Sequence, residues 1–252
     1  MIKTARANDH GPLYQPLAAI LLTVAIFLVP QFIAVILVGA YPAVKGWSEE
    51  VSLSWLTDST AAQFFVMLIV GALATTAVLR LLRRVQAPPA RIGLVRPRLR
   101  DAGYAAAAYV FYFGSYIVIL TIATQLFPGL NAGQEQDIGF KHVTSQLHTL
   151  MAFLSLVILP PLWEEIVFRG FLFTNLRVHL RLRWAALLTG LLFAAVHLQA
   201  GNGKPLLWVA ALDTFVLSCY LCYLREKTGS LVAPMLLHAA KNFIAFYYLF
   251  LR

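Results

Sequence analysis

The chain has 252 residues, 60% hydrophobic and 12% charged, with a mean hydropathy of +0.74, values that exclude a soluble globular domain. A formal net charge of +9 would suggest nucleic acid as the partner of a soluble protein. Here the charges mark the ends of apolar segments, and no nucleic-acid partner is expected.

Lys3 and Arg6 precede a first apolar segment at 17–41, too long and too late for a cleaved signal peptide, so it reads as an anchor that stays. Others follow at 60–82, 103–127, 148–172, 184–200, 206–224 and 230–250, each near the ~20 residues a spanning helix needs. The expected fold is therefore all-α, a polytopic transmembrane helical bundle of about seven spans. Between the second and third spans, "QAPPARIGLVRPRLR" reads as an extended or interfacial linker. It divides N-terminal helices and linker, 1–101, from a five-helix remainder, 102–252. The stretch "FPGLNAGQEQDIGF" is a polar, Gly-containing loop, and "NLRVHLRLRW" is either a short interfacial piece or an extension of the fourth span. His10, His142, His148 and His179 lie near ends or loops and carry no assignment. Cys219 and Cys222, with no second pair, read as small apolar fillers.

Most of the 20 Lys and Arg residues fall on one side of these segments: Lys3, Arg6, the group from Arg80 to Arg100, Arg177, Arg181, Arg183, Arg225 and Lys227. Lys45, Lys141, Lys204 and Arg252 fall on the other. The positive-inside rule then makes the N-terminus cytoplasmic and the C-terminus external, in a multi-pass protein of the cell membrane.

Charged side chains in a hydrocarbon core are costly and mark a pair, a pathway or an active site. Glu164, Glu165, Arg169, His197, Asp213, His238, Lys241 and Asn242 all fall within the expected spans. With the nearest basic residue at the cytoplasmic end of each span as a ruler, Glu164 lies about 20 Å in, His197 about 21 Å, and His238 and Asn242 about 17 and 23 Å. These groups share one level between the C-terminal helices. Glu165 and Arg169 are four apart and can neutralise each other; Glu164 is turned about 100° away and is left free. His238 and Asn242, also four apart, share a helix face. Glu164 with His197 can activate a water, while His238 and Asn242 can donate to an oxyanion, the parts for amide hydrolysis without a serine or cysteine. The same atoms allow a metal reading in which Glu164, His197 and His238 hold a divalent ion such as zinc; no H-E-x-x-H is present, and the metal-free mechanism, with no cofactor required, is favoured. Asp213 and Lys241 read as a structural ion pair, with a second reading in which they tune the site.

The motifs "EEIVFR", "FAAVH" and "HAAKN" resemble, in order and spacing, the E-E-x-x-x-R, F-x-x-x-H and H-x-x-x-N motifs of the CPBP intramembrane protease family, the CAAX proteases and bacteriocin-processing enzymes. The flanks "FRGFLF" and "TGSLVAPMLLHAAKN" are similar too, and the resemblance spans about Leu147 to Phe246. It implies a helical membrane endopeptidase related to the type II CAAX prenyl endopeptidases. Glu164 and His197 would activate water, His238 and Asn242 would stabilise the oxyanion, and Glu165 and Arg169 fill the remaining motif positions. Some members carry the metalloprotease label. The implied substrate is a membrane-associated or lipidated protein or peptide precursor, cut near its C-terminus, with the lipid bilayer as the other partner. Trp163 and Lys241 are unusual neighbours of the motifs that can alter substrate fit. Two other classes use similar residues: a proton-coupled transporter, which would show pH-dependent flux, and a non-catalytic immunity or scaffold protein, which would function without Glu164.

Overall fold

A long apolar run in lipid has one low-energy solution, the α-helix, because its backbone groups are then satisfied within the segment. The computed structural model describes residues 11–133, 140, 143–198 and 206–252, and no strand occurs among the described residues. Its helices are α1 (Pro16–Val44), α2 (Glu49–Asp58), α3 (Thr60–Arg84), α4 (Leu99–Leu126), α5 (Gln146–His179), α6 (Leu182–Ala195), α7 (Trp208–Thr228) and α8 (Val232–Phe250). Lys3, Arg6, His10, Lys141, His142, Lys204 and residues 134–139 of the polar loop lie outside the described residues.

Helices α1, α3, α4, α5 and α7 are long and apolar enough to cross a membrane. Helix α6, with 14 residues, reaches about 21 Å, short of the ~30 Å hydrocarbon core. Helix α8 has 19 residues, but His238, Lys241 and Asn242 interrupt its apolar run. The expected apolar segments thus become five helices long enough to span, one short apolar helix, and one helix whose apolar run is interrupted by polar side chains. The faces of α1 and α4 turned away from the bundle carry Phe32, Ile36, Val110 and Phe111, each more than 60% exposed, as lipid-facing residues are. Helices α5 and α7 are central, with 56% of the apolar stretch of each buried against 17% for α4.

Helices α1 and α3 pack together and against α5. Phe27 of α1 lies 5.5 Å from Trp163 and 5.8 Å from Phe168, ring centre to ring centre. Gly71 of α3 approaches Trp163 so closely that an added Cβ would stand 3.1 Å from its Cδ1. Trp163 is therefore a core residue wedged between helices.

Helix α5 holds two π-helical turns, Leu154–Ile158 and Ile166–Leu172, and runs on through His179, so the segment after Asn175 is a helical extension. The first π turn ends just before Pro160 and Pro161, which lack the N–H groups that a helix would direct at Leu156 O, from i+4 in an α turn or i+5 in a π turn.

The Pro/Arg linker is not a surface strap. Its 3₁₀ turn, Pro89–Ile92, pushes Ile92 into the core, fully buried against Gly170 of α5 and Leu231. Gly93 follows at φ +87°, and its carbonyl accepts from Leu231 N at 2.9 Å. The positive φ favours glycine, and a Cβ there would stand 2.8 Å from the Arg225 guanidinium and displace it. Arg225, itself buried, donates to Arg91 O at 3.3 Å. The apolar Ile92 stands between prolines and arginines, which is why a sequence reading takes the segment for linker.

Candidate active site

Adjacent glutamates on α5 point to different neighbours, as a rotation of about 100° per residue requires. Glu165 is fully buried. Its Oε1 accepts from Arg169 Nη1 at 2.9 Å and from His238 Nδ1 of α8 at 2.9 Å. The expected Glu165 to Arg169 pair is present, but Glu165 also orients a histidine on another helix. Because an ionised carboxylate only accepts, His238 carries its proton on Nδ1, leaving Nε2 for other partners.

Glu164 turns toward α6. Its Oε2 lies 4.0 Å from His197 Nε2, too long for a direct hydrogen bond, and has no hydrogen-bond partner among the described residues. His197 is not inside the helix, as its place in an apolar segment suggested. Helix α6 ends at Ala195, and His197 stands two residues beyond, its N–H donating to Ala194 O at 3.0 Å. Its Nδ1 donates to Phe193 O at 2.7 Å, which fixes the ring and turns the unprotonated Nε2 toward Glu164. The short helix thus ends at the level of Glu164, and its terminus delivers the imidazole there.

Phe193 packs among the site residues, a position that sequence reasoning left without a role. Fully buried, it contacts the Arg169 guanidinium, whose centre lies 4.2 Å from the ring centroid, with His197 at 4.5 Å and His238 at 6.0 Å, edge on. One apolar ring therefore separates the Glu164 and His197 couple from the Glu165, Arg169 and His238 group and holds all three cationic or ring neighbours in place. Its four-residue spacing from His197 was the available signal.

Asn242 is one turn beyond His238 on α8, and its Nδ2 donates to Leu156 O at 2.9 Å. This is the carbonyl that Pro160 and Pro161 cannot serve. Asn242 thus ties α8 to the first π turn of α5 and keeps one amide N–H for a further acceptor. The four residues expected at one level resolve into a Glu164 and His197 couple, a His238 held by Glu165, and an Asn242 partly committed to structure.

Among the described residues, no three His, Cys, Asp or Glu side chains are grouped so as to hold a metal ion. Cys222 is fully buried beside Arg169, and Cys219 is free as well, in keeping with apolar filler. An apolar cavity of about 880 Å³ opens next to His197, between Ala194, Ala195 and Leu198 on one side and Trp208, Ala211 and Leu212 of α7 on the other.

Residues 146–244, which contain every one of these polar side chains, match the family model described as type II CAAX prenyl endopeptidase Rce1-like. No curated protein and no solved structure matches the chain. The stretch from the start of α5 into α8 is thus similar to the Rce1-like type II CAAX prenyl endopeptidases, within a chain whose five long apolar helices make it a multi-pass membrane protein.

Proposed function

We propose that the protein hydrolyses a peptide bond near the C-terminus of a membrane-associated or lipidated protein or peptide precursor, using a water activated by Glu164 and His197 with no metal. The observation that carries this reading is the 4.0 Å separation of two proton acceptors, Glu164 Oε2 and His197 Nε2. A water touching both would donate one hydrogen to each and aim its lone pair at a bound carbonyl. Attack forms the C–O bond, with the water's proton passing to Glu164. The remaining N–H of Asn242 would donate to the oxyanion, and His238, once a second proton on Nε2 makes it an imidazolium beside Glu165, would donate there too. Breaking the C–N bond returns the proton from Glu164 to the leaving amine, and the O–H proton of the new acid passes to His197 Nε2, giving a carboxylate and an amine. The apolar cavity beside His197 suits a hydrophobic side chain or lipid group of the substrate.

The arginine-rich ends of α3, α5 and α7 would face the cytoplasm, with α8 running outward. The test is cleavage of a membrane-anchored peptide by the purified chain in lipid, with elemental analysis and chelator treatment alongside. The proposal expects cleavage that survives chelation, and a loss of about 10²-fold or more in His197→Ala. Cleavage abolished by a chelator and restored by one divalent metal would overturn the metal-free mechanism.

A further inference from the structure

Two ion pairs sit in the interior near the site, and they differ in how completely they close. Glu165 and Arg169 are both fully buried. Lys241 meets Asp213 of α7 at 3.0 Å, and the lysine side chain stays 27% exposed. Asp213 has both oxygens occupied, since Oδ1 also accepts from the Tyr112 hydroxyl of α4. The ammonium has three N–H donors, and Asp213 is its one acceptor among the described residues. Donors left open on a cation at this depth attract an anion strongly, because the surroundings screen it weakly.

Position makes that anion part of the substrate. Lys241 follows His238 by three residues and precedes Asn242, which puts all three on one side of α8. Lys241 lies nine residues into α8, about 14 Å from the helix start that follows the basic end of α7, deeper than a lipid phosphate of that surface sits. The anions a peptide can bring there are carboxylates, and the ammonium already accommodates one in Asp213. Resting on the peptidase reading of the site, we propose that Lys241 forms a carboxylate-binding subsite that takes an acidic group of the substrate, either its C-terminus or an Asp or Glu side chain.

The test measures binding without turnover, in the full chain carrying Glu164→Gln, with fluorescent apolar peptides of one sequence. One ends in a free carboxylate, one in an amide, and one in an amide with a glutamate near the end. At least one acidic peptide should bind about tenfold or more tighter than the neutral amide, the effect of one charge-assisted hydrogen bond. Which acidic peptide does so identifies the source of the carboxylate. Lys241→Met should bring that peptide down to the amide's affinity, and Lys241→Arg should keep the preference. Lys241→Met with Asp213→Asn removes both charges together, leaves no buried carboxylate unpaired, and should lack the preference too. Equal or undetectable binding of all three peptides, or a preference that survives loss of Lys241, overturns the subsite. A chain with Glu164 intact that binds the acid but cleaves nothing would instead overturn the peptidase reading and leave the subsite standing.

Discussion

Replacing Asn242 by leucine removes the hydrogen bond to Leu156 O, 2.9 Å long, and with it a side-chain donor to the carbonyl from which Pro160 and Pro161 withhold two helical donors. A carbonyl left without a donor in an apolar site costs about 1–3 kcal/mol. Polar links between membrane helices average lower, about 0.6 and at most about 1.7 kcal/mol, because the unfolded chain in lipid also finds partners. The expected cost is therefore about 1–2 kcal/mol. The decisive comparison adds Pro160→Ala, which restores an N–H four residues after Leu156. In that background Asn242→Leu should cost about 1 kcal/mol less, a coupling typical of groups sharing one partner. Reversible unfolding of the four variants in mixed micelles measures it. An equal cost of Asn242→Leu in both backgrounds would refute the link between the proline pair and Asn242.

Glu165→Gln should destabilise by about 3–5 kcal/mol, since it leaves the Arg169 guanidinium uncompensated, and Glu165→Gln with Arg169→Met should recover much of that loss in the same unfolding assay. Glu226→Gln removes the ion pair to Arg177, 2.9 Å but partly exposed, and should cost less than about 1 kcal/mol. Gly71→Leu drives a side chain into Trp163 and should lower stability by about 1–3 kcal/mol, detectable as a lower midpoint of thermal unfolding.

The apolar segments predicted the helices because in lipid hydropathy and backbone satisfaction point to the same answer. Helix α2 escaped because Glu49, Glu50 and Asp58 make it polar, although Ser48, whose Oγ accepts from Val51 N at 3.4 Å, was a legible start signal. Within one helix the site was readable: the four-residue spacing of Glu165 and Arg169 gave their contact, and the phase difference gave Glu164 a separate direction. Contacts between helices were not. Nothing along the chain says that His238 meets Glu165 or that Phe193 lies between the two halves of the site, since rotation of α8 and α6 about their axes is set by packing. The insertion of Ile92 beneath Gly170 was hidden for a similar reason: one apolar residue has no periodicity. Asn242 is intermediate, because the two prolines announce an unserved carbonyl without saying which helix serves it.

The most direct measurement is the rate at which the purified, membrane-reconstituted chain cleaves a quenched fluorescent peptide, compared with Glu164→Gln. Glutamine keeps the size and removes the proton-accepting carboxylate, so the account predicts a loss of about 10²–10⁴-fold with an unchanged unfolding midpoint. A Glu164→Gln protein that cleaves at the rate of the unaltered chain would contradict it.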